Sequence, residues 1–292
     1  MIKKQPLPYA AIFIILISLS LFAQAANSER ITWMGCGISK KAFMDAIAKA
    51  YTEKTEVKFR MAGGGATKGI RLTSNGQADV GGTCRHTITT GENASLESDV
   101  KLVHVAWDAI VAITNTSNPI KGITDEQLRD VYTGNITSWK QLGGKDQVIK
   151  LQTRSSKESG VGYMFRLLVF NDENYEFQAE SDKYKSSGPL EKNIESRFEG
   201  GFGITGVSSA KKRALNILEI NGVYPSKENI ASGKYPYFRP LYLAVPKKPD
   251  TETQNIVDFI LSDEGQQIIS QEGTVNLKEG KKLNELWTLT KL

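Results

Sequence analysis

Apolar residues recur along this chain in two alternating rhythms, short apolar runs and helical spacings, and together they predict strands that alternate with helices. Ile31–Gly35 is a short run of the first kind. Behind it Phe43, Ile47, Ala50 and Tyr51 recur at helical spacing, with Ser39 as the expected N-cap. Val57–Met61 predicts a second strand, followed by Gly63-Gly64-Gly65 and a helix from Ala66 to about Asn75 that Gly76 stops. Ala78–Thr83 and Lys101–Val105 predict strands three and four. Strand–helix alternation at this pace argues for a parallel, doubly wound sheet in the order 2-1-3.

A second unit is expected from about Ala109. Asp108–Asn115 predicts an apolar strand, and Asn118-Pro119 breaks the pattern. Thr124 opens a helix bearing Leu128, Val131 and Tyr132, with Gln127 three residues on as a capping-box partner. Leu151–Thr153 predicts a strand, Ser159 precedes the helical stretch Tyr163–Val169, and Gly201–Gly206 and Leu215–Ile220 predict two more strands. The chain then returns. Arg239–Val245 reads as a strand, and Thr253–Leu261 and Asp263–Gln271 as helices that pack back on the first unit. The expected division is residues 28–108 with 237–292 as lobe one and residues 109–236 as lobe two. Strands near Asp108–Ala112 and Arg239–Tyr242 would join them.

The start of the chain sets the compartment. Lys3 and Lys4 precede the apolar run Ala10–Phe22, and Ala23-Gln24-Ala25 is a small-x-small cleavage site. That is the layout of a secretory signal peptide over residues 1–25, which predicts export to the periplasm. The run is about thirteen residues, short of the roughly 20 that a membrane span needs. Cleavage takes the formal charge from +5 to +3, a mild excess that suits anionic ligands and is too weak and too dispersed for nucleic acid.

Three loops share one design of strand, glycine-rich or small-residue turn, Ser or Thr, then helix. They are Gly35-Cys36-Gly37-Ile38-Ser39, Gly63-Gly64-Gly65-Ala66-Thr67, and Arg154 through Gly162. A helix N-terminus presents unpaired N–H groups and a partial positive charge, so it favours anions. Arg154 adds a fork that matches two oxygens of a tetrahedral anion. In an open parallel sheet the loops at the strands' carboxyl ends converge on one crevice. Neither glycine run fits a nucleotide-binding signature.

These residues carry a family resemblance. Gly35–Ser39, Gly63–Ile70, Gly76–Arg85, Ile123–Gly144, Arg154–Phe165 and Leu261–Gln266 together resemble the periplasmic phosphate-binding protein family of ABC importers, over nearly the whole mature length. The resemblance implies an α/β protein of two doubly wound lobes, the type II periplasmic-binding-protein fold, joined by a two-strand hinge. It implies a monomer that binds an inorganic oxyanion, phosphate first, without cofactor or metal, and is read by an inner-membrane ABC importer or a sensor kinase. The residues it assigns to the ligand are Gly37 and Ser39 in the first loop, Gly64, Gly65 and Thr67 in the second, and Arg154, Ser159, Gly160 and Val161 in the third. Val161 stands where the family usually has Thr. Cys84 stands where its best-known phosphate binders have Asp, and Arg85 beside it is expected to add positive charge.

Cys36 and Cys84 are the chain's two cysteines. Because they follow strands one and three, their sulfurs are expected to be near neighbours at the crevice, bridged or reduced. That pair motivates an alternative reading, an arsenic-oxyanion (arsenate or arsenite) binder serving a sensor kinase. An exported thiol-disulfide or metal-binding protein is a further reading, disfavoured because no CxxC motif is present. His86, His104 and the cysteines lack metal-ligand spacing. An enzyme is not expected, since no base is held against a Ser or Cys nucleophile with a third orienting group. Asp108 reads equally as a hinge hydrogen bond or a ligand contact, Trp107 as packing, and Ser187 as a helix start.

Overall fold

The computed structural model of the protein describes residues 30–197 and 199–291, so the expected signal peptide lies outside the described residues. Its first strands and helices follow the apolar rhythm closely. Strand β1 (Arg30–Gly35) leads into a helical run over residues 37–55, α1, which passes through a π-type turn at Lys40–Met44. Then come β2 (Lys58–Gly63), α2 (Ala66–Ser74) and β3 (Val80–Thr83). Strand β1 pairs in parallel with β2 on one side and β3 on the other, the predicted 2-1-3 order.

Two expectations need correction here. Ser39 already has helical dihedrals (φ −59°, ψ −37°), and the helix is entered one turn earlier with Cys36 at the N-cap. Ser39 therefore sits inside the first turn with its hydroxyl free for other work. The strands expected at Lys101–Val105 and Asp108–Asn115 are one strand, β4 (Val100–Asn115). No glycine or proline interrupts that stretch, and residues 105–114 are buried without a break, as for a strand covered on both faces. At about 3.3 Å per residue it is long enough to serve both lobes.

Beyond β4 come β5 (Gly122–Ile123), α3 (Asp125–Thr133), β6 (Lys150–Arg154) and the helical run 160–170, α4. The Thr124–Gln127 capping box at the start of α3 is present in both directions. Strand β7 (Asp182–Tyr184), α5 (Ser187–Ser196), β8 (Gly201–Gly206) and the single turn α6 (Val207–Ala210) follow. The expected strand Leu215–Ile220 is broken at Leu218 into β9 (Leu215–Ile217) and β10 (Glu219–Ile220), the latter paired with β5. Helix α7 (Lys227–Ala231) leads to β11 (Phe238–Pro246), and α8 (Thr251–Leu261), α9 (Asp263–Gln271), β12 (Val275–Asn276) and α10 (Lys281–Lys291) complete the chain.

The main sheet runs β2-β1-β3-β11-β4-β8-β6-β7. The N-terminal part of β4, to Ala109, pairs antiparallel with β11, whereas Ile110–Asn115 pairs with β8 and β9. One strand thus passes from one lobe's sheet into the other's. Arg239 on β11 lies opposite Asp108 on β4 at this passage, their side chains 2.9 Å apart and both fully buried.

Candidate functional site

The carboxyl ends of β1 and β3 lie side by side, and they deliver Cys36 and Cys84 to one corner. The two sulfurs are 3.0 Å apart, both buried and unbridged. The Cys36 amide donates to the Gly82 carbonyl at 2.8 Å, which fixes the turn out of β1. Gly160, the first residue of α4, comes down on this corner from lobe two. A Cβ at Gly160 would lie 2.5 Å from the Cys84 sulfur and 2.7 Å from the Ala66 Cβ. The crevice is closed here, and glycine is what lets it close.

Several buried polar atoms lack partners among the described residues, Arg154 Nη1 and Ser39 Oγ among them. Arg154, at the end of β6, is buried. One guanidinium nitrogen donates to Ser187 Oγ at 2.8 Å and to the Ile204 carbonyl at 3.3 Å, while Nη1 has no hydrogen-bond partner among the described residues. The hydroxyl of Ser39, fully buried, has none either. Burial pulls the Arg154 pKa down to about 10, against the raising influence of Glu191, Tyr132 and the two sulfurs. An unpartnered buried donor costs about 1–3 kcal/mol, more when charged. Ser187 both begins α5 and receives Arg154, so the helix-start reading was correct but incomplete. Gln152, two residues before Arg154 on the same face of β6, also has both amide atoms unpaired, and sequence reasoning missed it.

Other predicted ligand residues are placed differently. The Arg85 guanidinium is fully buried against Glu97 (Nη2–Oε1 2.7 Å, Nη1–Oε2 2.8 Å) and also donates to the carbonyls of His86 and Glu158. It is therefore no free cation beside Cys84, and the expectation that it meets the ligand is corrected. The Thr67 hydroxyl likewise donates to the Glu158 carbonyl at 2.8 Å and holds lobe two rather than offering itself to an anion. Arg71 Nη2 and Asn93 Nδ2 each reach the Glu158 carboxylate at 2.6 Å. Glu158 is thus a latch between lobes that sequence reading did not single out, since a lone acid in a Ser-rich loop carries no signal for it.

Ser159 caps α4, its hydroxyl oxygen accepting the Gly162 N–H at 3.1 Å, which leaves its own proton to donate. Val161 is buried one residue into α4 beyond Gly160, and Gly37 is half-buried at the start of α1. Gly64 and Gly65, with φ of 145° and 100°, turn the chain into α2 in a conformation other residues rarely adopt. With Thr67, Lys68, Ser159 and Lys185 they line a cavity of about 370 Å³ at the mouth of the crevice.

The electrostatics centre on the sulfurs. The Cys84 hydrogen bond, helped by Arg239 and the N–H groups of Ser39 and Ile38, brings Cys36 down to about 7 against the effect of burial. The same hydrogen bond, with burial, pushes Cys84 up. The pair thus holds one readily lost proton. Arg239 is pulled down by burial, but Cys84 and Asp108 more than offset this, and its pKa is raised. Asp108 accepts from Arg239 and, through Oδ1, from the Ser208 amide (3.1 Å) and hydroxyl (2.7 Å), so it makes a hinge bond. Arg239, an arginine inside the apolar strand β11, was missed as part of this cluster.

The sequence profile of the PBP superfamily domain matches residues 23–264. The chain is similar to phosphate-binding protein PstS of Borreliella burgdorferi, 28% identical over 277 residues that cover 91% of this chain and 98% of that one. It is also similar to phosphate-binding protein PstS of Bacillus subtilis, 25% identical over 256 residues, 87% of this chain and 83% of that one. Among solved structures, a substrate-binding protein assigned to phosphate ABC transport in Clostridium perfringens, with bound phosphate, superposes with a TM-score of 0.74 at 28% identity, covering 85% of this chain and 99% of that one. An ABC-type phosphate transport receptor from Vibrio cholerae gives 0.63 at 27% identity, covering 85% and 100%. With the profile spanning most of its length and two lobes that share a crossing strand, this chain belongs to the PBP superfamily and has the type II periplasmic-binding-protein fold.

Proposed function

We propose that this protein binds phosphate in the crevice between its lobes, outside the cytoplasmic membrane, and delivers it to an ABC importer. The observation that carries the reading is a pair of buried donors without partners among the described residues, Ser39 Oγ in the first turn of α1 and Arg154 Nη1 at the end of β6. Both need an acceptor, and a tetrahedral oxyanion supplies several at once. The proposed ligand set is Ser39 and Arg154, the Ser159 hydroxyl, and the backbone N–H groups of Gly37, Gly160 and Val161 at the starts of α1 and α4. Gly64 and Gly65 would shape the entrance. The named relatives support phosphate as the anion, and delivery to an importer follows the same likeness. Among the described residues no helix is long and apolar enough to cross a membrane, and the apolar N-terminal run supports export.

In this reading lobe one is residues 28–108 with 237–292 and lobe two is residues 109–236. Ligand shifts a population from open to closed about the Asp108–Arg239 passage. The arsenic reading falls away. None of these relatives is named for arsenic.

Calorimetric titration of the purified, anion-free protein with phosphate and with sulfate tests the proposal. Phosphate is expected to bind at micromolar or lower concentration, about −8 kcal/mol or better, and sulfate at least about tenfold more weakly. Absence of phosphate binding up to millimolar concentration would overturn it.

A further inference from the structure

We propose that Cys36 and Cys84 are a redox-modification site, a reversible disulfide in the floor of the crevice that forms while the lobes are apart and is sealed off when they close. The shielding half of this inference rests on the anion-binding reading, and the disulfide half does not.

Position carries the argument. The cysteines leave neighbouring parallel strands in fixed register, with Gly35 opposite Gly82 and the Cys36 amide bonded to the Gly82 carbonyl. Their sulfurs are 3.0 Å apart, so a bond of about 2.0 Å needs an approach of only about 1 Å. The chain has two cysteines in all, so no third thiol competes within it. In the closed molecule Cys36 is 4% exposed and Cys84 is fully buried, and one lid on Cys84 is Gly160 of the opposite lobe. An oxidant therefore reaches the pair when α4 lifts away.

The chemistry is thiol–disulfide exchange with an external disulfide, small-molecule or protein. Cys36 is the attacking group: it caps α1, and the Ser39 and Ile38 amides and Arg239 favour its thiolate. Its sulfur bonds to one sulfur of the oxidant and expels the other as a thiolate. The Cys84 thiol then gives up its proton to solvent and attacks the Cys36 sulfur of the mixed disulfide, releasing the second thiolate. The protein loses two electrons and the oxidant gains them. The product is neutral, so oxidation removes a negative charge from beside Arg154 and Arg239, both of which feel these sulfurs.

The test uses reduced mature protein incubated with oxidised glutathione, with and without saturating phosphate, then alkylated under denaturing conditions and weighed intact. Both thiols are expected to vanish together, with peptide mapping joining Cys36 to Cys84, and phosphate is expected to slow this by at least about tenfold. The Cys84→Ser variant should instead accumulate glutathione on Cys36. Two thiols still alkylated at redox equilibrium, or bridges only between molecules, would overturn the site. A rate unchanged by phosphate in protein that calorimetry shows to bind it would overturn the shielding. Disulfide formation in protein that binds no phosphate would fail the functional reading instead and leave the disulfide standing.

Discussion

Arg154 combines two properties that oppose each other. Its charge is buried and one nitrogen is unpaired, which destabilises the empty protein, and the same unpaired nitrogen is what an anion needs. Replacing it with an apolar side chain of similar length therefore separates stability from binding. For Arg154→Met the expected outcome is an unfolding temperature, without ligand, equal to or above that of the parent, measured by calorimetry. Phosphate affinity should fall by about tenfold to more than a hundredfold, since a charge-assisted hydrogen bond contributes about 1.5–3 kcal/mol. A fall in both would mean that Arg154 is structural. Ser39→Ala is milder. Its hydroxyl has no partner to lose, so stability should hold, while affinity should drop by roughly threefold to tenfold for one neutral hydrogen bond.

At the scale of elements, α4 is the wall that would move in the proposed closure. Gly160→Ala places a methyl group 2.5 Å from the Cys84 sulfur and 2.7 Å from the Ala66 Cβ, distances that atoms do not adopt. The variant should fold, keep its lobes apart at saturating phosphate in small-angle scattering, and bind at least about tenfold more weakly. A closed variant of normal affinity would show that this contact is incidental. The elements also mark what sequence can and cannot tell. Strand order 2-1-3 was legible because β1, β2 and β3 alternate with helices and end at glycine-rich or small-residue turns, and Arg154 because it opens such a turn. The single long β4 was not, because Trp107-Asp108 resembles a boundary when nothing in the sequence shows Arg239 waiting opposite. The fate of Arg85 was hidden for the same reason. Its partner Glu97 comes from a separate turn, and pairing across such distances leaves no periodic trace.

At the scale of the whole molecule, lobe one holds a half-buried histidine that makes stability depend on pH. His104 lies edge-on to Trp107 with ring centroids 4.5 Å apart, and its Nε2 is 3.0 Å from the Ala106 carbonyl. Burial pulls its pKa from 6.5 down to about 4. The unfolded chain therefore takes up a proton near pH 6.5 that the folded protein refuses until about pH 4. Stability falls as pH drops through that window, by on the order of 2–3 kcal/mol, and this contribution levels off below it. Urea unfolding of His104→Phe against the parent should show a shallower decline between pH 6.5 and 4. Identical slopes would remove His104 as the cause. The hinge is the other whole-molecule element. Asp108→Ala leaves the Arg239 guanidinium buried without its carboxylate, and a broken buried pair of this kind costs about 3–5 kcal/mol. The midpoint of urea unfolding should move down accordingly, and an unchanged midpoint would show that the pair is dispensable to the passage between lobes.

The central claim is that one oxyanion sits between Ser39 and Arg154, and locating an anion tests it most directly. Arsenate has the shape and charge of phosphate, and its arsenic scatters anomalously, so a crystal grown with arsenate reports the position without interpretation of weak density. The account predicts one strong anomalous peak inside the crevice, with anion oxygens about 2.7–3.2 Å from Ser39 Oγ and Arg154 Nη1. A closed molecule with no peak there, or with its peak confined to the outer cavity by Lys68 and Lys185, would contradict it.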